Sequence, residues 1–357
     1  MQFQQLSKTL IKWYQTNKRD LPWRETNDAY KIWISEIILQ QTRVNQGLDY
    51  YLRFIVRFPT VVDLATADED EVLKYWQGLG YYSRARNLYK SANQIVQQYN
   101  GKFPTSYDDV LKLKGIGTYT ASAICSFAYH QPYAVVDGNV YRVLSRFFGI
   151  DTAIDSTAGV KLFADLVNQV LDRQNPGLHN QAIMEFGALQ CVPVSPDCIN
   201  CPLKTDCKAF EMNLVTMLPV KEKKVKVKNR YFNYLFIEFN GNTFMQKRTA
   251  DDIWKNLYEF PLIETDELLL SPEKLTSNVQ FKILFEGIRN VNFIKISAPV
   301  KHILTHRIIN AGFIHVKISE SNRQLSNLIR IPFDEIHNYA VSKLIESFLE
   351  SGSDFKR

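Results

Sequence analysis

The chain has 357 residues, a hydrophobic fraction of 45% and a formal net charge of +6. That length points to two domains, and that apolar content supports folded cores rather than a disordered chain. No run of apolar residues is long enough for a membrane-spanning helix, so none is expected. The mild positive charge is compatible with a nucleic-acid partner without requiring one.

Aromatic residues make up 13% of the chain, 18 of them Tyr, material for stacking on bases as well as for cores. The first residues, MQFQQLSKTL, carry neither the basic flank nor the long apolar core of a signal peptide. A reducing compartment is therefore expected, and structural disulfides are not. Residues 1–215 read mostly as helices, with apolar positions at helical spacing and punctuation at Phe58-Pro59, Phe103-Pro104 and Asn175-Pro176-Gly177.

Within Lys31–Val44, Ile34, Ile37, Ile38 and Val44 form one apolar stripe. At about 100° per residue Glu36 points nearly opposite, beside Gln40 and Arg43, and periodicity alone reads it as a solvated surface acid. Gln41 falls near the stripe. Between 108 and 128 a helix is expected to end at Lys114, Gly115-Ile116-Gly117 to make a tight turn, and a second helix to start near Thr118. Two glycines there bring backbone N–H groups to a helix N-terminus, where a phosphate oxygen is well received. A plain helix–helix turn with glycine at the C-cap is the alternative. Further on stands Asp137, between Val135-Val136 and an apolar helical pattern, and taken singly it reads as an N-cap.

Four of the five cysteines, Cys191, Cys198, Cys201 and Cys207, follow the pattern C-x6-C-x2-C-x5-C, whereas Cys125 lies in the apolar stretch Ala123–Ala128. Such clustering implies one loop closed around a metal centre. Structural zinc usually pairs two C-x2-C knuckles, and only Cys198 and Cys201 form one. A [4Fe–4S] cluster also takes four thiolates, with spacings that differ between families. Spacing alone leaves both metals open. Lys204, Lys208 and Lys221 lie in or near this loop, as phosphate contacts or as solvated surface.

Residues 216–230 read as a charged linker or an edge-strand entry, since Pro219–Arg230 holds six cations and one anion. The period then changes. Tyr231–Phe239 is strand-like and Asn240-Gly241-Asn242 is a turn. Phe281–Phe285 and Phe313–Ile318 read as further strands, and Phe333–Leu349 as a closing helix. The C-terminal part, 231–357, is thus expected to be α+β.

Taken together these features carry a resemblance. Gly115-Ile116-Gly117 is similar to the helix-hairpin-helix with which many DNA repair proteins hold a phosphate, a contact that positions without reading sequence. That hairpin, Asp137 and the cysteine loop together resemble the endonuclease III superfamily of DNA glycosylases. Its bifunctional members carry a Schiff-base lysine two residues after the second glycine. Here that position is Tyr119, and Lys112 and Lys114 lie before the turn. Ser35-Glu36-Ile37-Ile38-Leu39-Gln40-Gln41-Thr42 resembles the S-E-h-h-L-Q-Q-T string of MutY-type adenine DNA glycosylases, and Leu21-Pro22-Trp23-Arg24 and Gly78–Arg84 look like the same family. Ile253–Pro261 resembles the L-W-x-x-L-W-E-F-P stretch of its Nudix-like C-terminal domain. Lys301–Arg307 resembles its H-x-F-S-H loop, which senses 8-oxoguanine, with Leu304 in place of Phe and Thr305 in place of Ser.

The resemblance implies an all-α, two-lobed helix-hairpin-helix glycosylase domain over 1–215, with the hairpin at 108–128 and an iron–sulfur loop at 191–207. One [4Fe–4S] cluster would sit on Cys191, Cys198, Cys201 and Cys207. A Nudix-like 8-oxoguanine recognition domain would follow over 231–357, without pyrophosphatase activity because the functional Nudix glutamate signature is not visible. The implied activity is monofunctional removal of adenine mispaired with 8-oxoguanine or guanine in double-stranded DNA. Glu36 would protonate N7 of the flipped adenine, its pKa raised by burial against neighbours such as Trp33. Asp137 would stabilise the oxocarbenium ion, with Tyr119 and Asn139 holding the carboxylates.

The resemblance further implies DNA contacts by Trp23, Arg24, Gln41 and Thr42. It adds Leu79, Tyr81 and Tyr82 on a second loop, and Gly115, Gly117 and Thr118 at the hairpin. Leu304, Thr305 and His306 form the lesion-sensing loop. Gln41 and Tyr81 would wedge the base stack, Gln41 only if its helix ends before it. The expected protein is a cytoplasmic, nucleoid-associated monomer of bacterial type without membrane contact.

Overall fold

A computed structural model of the chain describes residues 2–223 and 227–351. It divides into two compact units, Met1–Thr66 with Asn87–Lys223, and Ala67–Arg86 with Lys224–Arg357. The segment Ala67–Arg86, expected within the helical domain, groups with the second unit instead. Polar contacts account for this. Asp70 accepts from Lys247 Nζ and from the Tyr258 hydroxyl, and Glu69 accepts from the Asn256 amide. Lys74 Nζ reaches the Tyr339 carbonyl, and Gln77 donates to Glu346.

The first unit is helical. Its helices start where polar side chains take up the free N–H groups of a first turn. Asp28 accepts from Tyr30 N ahead of Ala29–Leu39, Ser106 from Asp109 N ahead of Tyr107–Leu111, and Ser156 from Gly159 N ahead of Thr157–Val170. The Ala29–Leu39 helix is buried along nearly its whole length and packs against Thr118–Tyr129 and Val44–Arg57. It stops at Leu39 rather than running to Val44, and Gln41 follows with φ +56°. The first hairpin helix ends at Leu111, not Lys114, and the second begins at Thr118 as expected. Between them Gly115 has φ +78°, and a Cβ there would lie 2.6 Å from Asn87, so the turn requires glycine.

The second unit is α+β, with eight strands among the described residues. β1 (Lys228–Glu238), β4 (Leu262–Thr265), β5 (Val291–Ile296), β6 (Val300–Ile303) and β7 (Arg307–Ile318) form one sheet in the order β4-β1-β7-β5, with β6 also on β7. β2 (Asn242–Lys247), β3 (Tyr258–Glu259) and β8 (Ile329–Pro332) form the other, in the order β3-β2-β8. β1 and β7 run parallel from Lys228↔Arg307 to Glu238↔Lys317. Asn240 and Gly241, both at positive φ, join β1 to β2 in the tight turn that the sequence signals. The core gathers Leu235, Ile237, Phe244, Ile263, Ile314 and Val316 with Phe281 and Phe285.

Three sequence expectations differ here. β1 begins at Lys228, inside the segment read as linker, while 224–226 of that segment lie outside the described residues. Phe281–Phe285 is not a strand: Asn278 caps a helix over Val279–Leu284, which brings the Phe281 ring to 4.5 Å from that of Phe285, tilted by 40°. A short apolar run fits either element, and the cap decides it. Phe333–Leu349 is two pieces, a 3-10 turn over Phe333–Asn338 and a helix over Lys343–Ser351. Between them Val341 pairs with Tyr258, and the Ala340 carbonyl accepts from Tyr258 N. Among the described residues no helix is long and apolar enough to cross a membrane.

Candidate active site

A cavity of about 910 Å³ in the first unit is lined by Glu36, Tyr119, Asp137 and Asn139 together. Glu36 is only 8% exposed, against the surface reading that periodicity favours. The Tyr119 hydroxyl donates to its Oε2 at 2.9 Å. Burial pushes the Glu36 carboxyl up to about 7, and the Asp137 charge adds to the shift. The Tyr119 bond and Arg24 pull the other way. Trp33 is not among the cavity-lining side chains; it packs edge-on against Tyr30 and Phe103.

Asp137 is both an N-cap and a cavity residue. Its Oδ1 accepts from Asn139 N at 2.9 Å and Val140 N at 2.8 Å, opening the Gly138–Phe148 helix. Its Oδ2 accepts from Asn139 Nδ2 at 2.8 Å. Burial raises its pKa, and these three bonds oppose the rise by favouring the ionised form. The two carboxyls thus differ in donor count: one phenol on Glu36, three N–H groups at a helix N-terminus on Asp137.

Asn139 is itself held. Arg142 Nη2 donates to its Oδ1 at 2.8 Å, and Arg142 Nε donates to the Cys191 carbonyl at 2.7 Å. A Cβ at Gly187 would come within 2.6 Å of Asn139 Cβ, so glycine there lets the Pro176–Leu189 helix lie against Asn139.

That helix contributes a group that the sequence reading missed. Glu185 is 1% exposed, lines the cavity, and accepts paired bonds from both Arg19 and Arg24 at 2.6–2.9 Å. Burial pushes Glu185 up, but the two guanidiniums and Arg19 N outweigh it and hold the carboxyl at about 2. The available signal was an acid inside the apolar string Ala182-Ile183-Met184-Glu185-Phe186. Glu185→Gln is expected to destabilise the fold at pH 7 by about 3–5 kcal/mol, because it strands buried guanidinium charge. The stabilisation from this depressed pKa is fully present above the ordinary carboxyl range and is lost as pH falls through about 2. Urea unfolding at pH 7 checks this, and an unchanged midpoint would contradict it.

The other singled-out residues divide. Trp23 and Arg24 line the same cavity, Trp23 buried edge-on against Tyr51 and Arg24 engaged by Glu185, so neither is a free surface contact. Gln41 and Thr42 line it as well, Gln41 exposed beyond the helix end. Gly115, Gly117 and Thr118 are exposed at the hairpin turn. In the second unit Leu79 and Tyr82 are buried, and the Tyr82 hydroxyl accepts from Gly78 N and donates to the Val341 carbonyl. Both residues also line a cavity in the second unit with Tyr81, Leu304, Thr305 and His306. Tyr81 is 47% exposed at φ +48°, and its hydroxyl bonds Thr305 Oγ1. Leu304, Thr305 and His306 form the tip between β6 and β7, closed by Leu304 N donating to the Arg307 carbonyl.

Cys191, Cys198, Cys201 and Cys207 carry no disulfide and line one small cavity with Arg146. Arg146 Nη1 reaches Cys191 Sγ at 3.5 Å and the Val192 carbonyl at 2.8 Å, while Cys207 Sγ donates to the Arg146 carbonyl at 3.4 Å. Among the described residues no group of three His, Cys, Asp or Glu side chains is arranged to hold a single metal ion. A tetrahedral ion with metal–sulfur bonds of about 2.3 Å needs its thiolates packed tightly together. A polynuclear cluster puts each thiolate on a different iron and accepts a wider ring. Four thiols lining one cavity are the donor set that such a cluster takes.

Residues 34–169 match the HhH-GPD superfamily of base excision DNA repair proteins, and residues 233–351 match the NUDIX domain. The chain is 36% identical over 276 residues to an adenine DNA glycosylase of Buchnera aphidicola from Acyrthosiphon pisum, covering 76% of this chain and 79% of that one. Against the adenine DNA glycosylase of Rattus norvegicus it is 44% identical over 213 residues, 57% of this chain and 41% of that one. Among solved structures a thermostable thymine-DNA glycosylase superposes with a TM-score of 0.55 at 28% identity, covering 59% of this chain and 97% of that one.

Proposed function

Because the chain belongs to the adenine DNA glycosylase family and is a DNA N-glycosylase, we propose that it removes adenine mispaired with 8-oxoguanine, or with guanine, from double-stranded DNA. One observation carries the proposal. Glu36 and Asp137 face a single cavity, and among the described residues no lysine lines it.

Adenine can enter such a cavity only after leaving the stack, at a cost of a few kcal/mol that is smaller at a mismatch. As an anion adenine leaves poorly; protonated at N7 it leaves neutral. Glu36, pushed up to about 7, holds a proton in a large share of molecules at neutral pH. Tyr119 occupies Oε2, so Oε1 is the oxygen free to serve N7. Departure of the base builds positive charge at C1′, which the ionised Asp137 carboxylate stabilises until water adds there. Tyr119, at the position of the bifunctional lysine, offers no amine for a Schiff base. Gly115, Gly117 and Thr118 hold a backbone phosphate, and Gln41 and Tyr81 wedge the stack. Leu304, Thr305 and His306 meet the base opposite adenine, with the Thr305 hydroxyl as donor and acceptor. One [4Fe–4S] cluster on the four cysteines would serve to order their loop, and the Arg142 bond to the Cys191 carbonyl ties that loop to Asn139.

The test is a duplex with one adenine opposite 8-oxoguanine, incubated with the protein and then resolved with and without hot alkali. Strand breaks that need alkali are expected. Breaks without alkali would show a lyase, and intact strands under both treatments would overturn the proposal. A parallel duplex with thymine opposite guanine should stay intact; thymine release there would favour the activity named for the structural relative.

A further inference from the structure

We propose that Asp252, with Trp254 and Lys255, is a positioning element that sets the spacing between Tyr81 and the Leu304–His306 tip, so that preference for 8-oxoguanine over guanine depends on Asp252 although it touches no base. The inference rests on the proposed role of that tip in meeting the base opposite adenine.

A cavity of about 560 Å³ in the second unit has two walls, the loop from Leu79 to Ser83 and the tip between β6 and β7. Their outer ends meet through the bond between Tyr81 Oη and Thr305 Oγ1, both side chains exposed. A single hydroxyl bond open to water contributes little and cannot by itself fix two surface loops. The stiffness has to come from other contacts.

Between the two walls Asp252, Ile253 and Trp254 line the same cavity, and Lys255 follows them. Asp252 Oδ1 accepts from Arg307 Nη1 at 2.7 Å, and Arg307 is the residue whose carbonyl closes the tip. Asp252 Oδ2 accepts from Arg230 Nη1 and from Arg248 Nη2. Those two guanidiniums are anchored elsewhere, Arg230 by both oxygens of Glu264 on β4 and Arg248 by Glu259 on β3. One carboxylate therefore gathers three guanidiniums and ties the start of β7 to the body of the sheet. Two residues on, the Trp254 ring lies 5.9 Å from His302 on β6 and 6.1 Å from Phe232 on β1. The Lys255 carbonyl accepts from Arg86 Nη1 at 2.8 Å, at the foot of the Tyr81 wall. Four consecutive residues thus hold both strands of the hairpin and the opposite wall.

The backbone is consistent with such a role. Trp254 and Asn256 sit at φ +60° and +66°. Left-handed geometry at non-glycine residues is unfavourable and persists where surrounding contacts over-determine it. Replacing the Asp252 charge with an amide would leave three guanidiniums facing each other without their shared anion and free Arg307 to swing.

The experiment compares full-length wild type, Asp252→Asn, Asp252→Glu and Thr305→Ala on duplexes with adenine opposite 8-oxoguanine or guanine, under single turnover with enzyme in excess. Asp252→Asn is expected to lower the 8-oxoguanine preference roughly tenfold, the discrimination one hydrogen bond provides, with the rate opposite guanine unchanged. Asp252→Glu should restore most of it, and Thr305→Ala should lower the same ratio. If Thr305→Ala loses preference and Asp252→Asn keeps it, the positioning inference is wrong and the reading of the tip stands. If both keep it, the reading of the tip is wrong. Should Asp252→Asn melt below the assay temperature, Arg307→Gln leaves Asp252 its other two partners and carries the same expectation; a retained preference in Arg307→Gln overturns the inference.

Discussion

Glu36→Gln should abolish adenine release and at the same time make the protein more stable above neutral pH. Loss of a positioned general acid costs on the order of 10² to 10⁴ in rate. The stability effect has its own sign. Burial holds the Glu36 carboxyl at about 7 in the fold, above its ordinary 4.5, so the folded state binds the proton more tightly than the unfolded chain. The stabilisation this proton lends is complete below the unfolded value and is lost as pH rises through about 7. At pH 8 the wild-type fold carries an ionised buried carboxylate, a burden on the order of 3 kcal/mol by the size of the shift. Glutamine is neutral at every pH and still accepts the Tyr119 hydroxyl. The variant should therefore unfold later than wild type at pH 8 and at nearly the same point at pH 4. Wild-type turnover should fall about tenfold per pH unit well above 7, while any residual rate of the variant should lack that limb. Thermal melts at the two pH values and a pH–rate profile check the set. A Glu36→Gln protein that still releases adenine at a comparable rate would remove Glu36 from the acid role.

This opposition of signs could not be read from periodicity. The stripe Ile34, Ile37, Ile38 assigns Glu36 to the outside of a one-faced helix, yet Ala29–Leu39 is packed on several sides and has no outside at that position. Only the surrounding string of residue types pointed to an acid there. The helix end at Leu39 is followed by Gln41 itself in the left-handed region, three residues before the helix that starts at Val44, and no glycine or proline announces it. The Glu185 cluster was illegible for a different reason: its partners Arg19 and Arg24 lie more than 160 positions away in the chain. Pairwise charge contacts at that separation leave no local pattern. The same holds for Ala67–Arg86, whose place in the second unit depends on Asp70, Glu69, Lys74 and Gln77 meeting groups beyond residue 240. What was legible had a local cause: the Gly115 turn, the helix start at Thr118, the Asn240-Gly241 turn and the N-cap at Asp137.

That N-cap makes Asp137→Asn the sharper of the two active-site substitutions. Asparagine caps a helix about as well as aspartate, so its Oδ1 can still accept from Asn139 N and Val140 N. What it loses is the charge, together with the bond from Asn139 Nδ2, which would face an amide donor instead of Oδ2. One lost bond costs about 1 kcal/mol, and removing a buried charge offsets part of that. Stability should therefore change by no more than about 1 kcal/mol. Base release should fall by about 10² to 10³, the usual loss when a fixed group facing developing charge is removed. Binding to an uncleaved mismatched duplex should persist, since no DNA contact is assigned to Asp137. Asp137→Ala, which removes cap and charge together, should lose a further 1 kcal/mol or so of stability with little further loss of rate. The comparison separates the two duties of one side chain. If Asp137→Asn keeps its rate within a few fold of wild type, Asp137 is a helix cap and the C1′ charge is met by some other group. If the rate collapses while the melt is unmoved, the cap is the means by which the fold aims a carboxylate at the sugar. The acid side of the pH–rate profile should then report Asp137 losing its charge, just as the alkaline side reports Glu36 losing its proton.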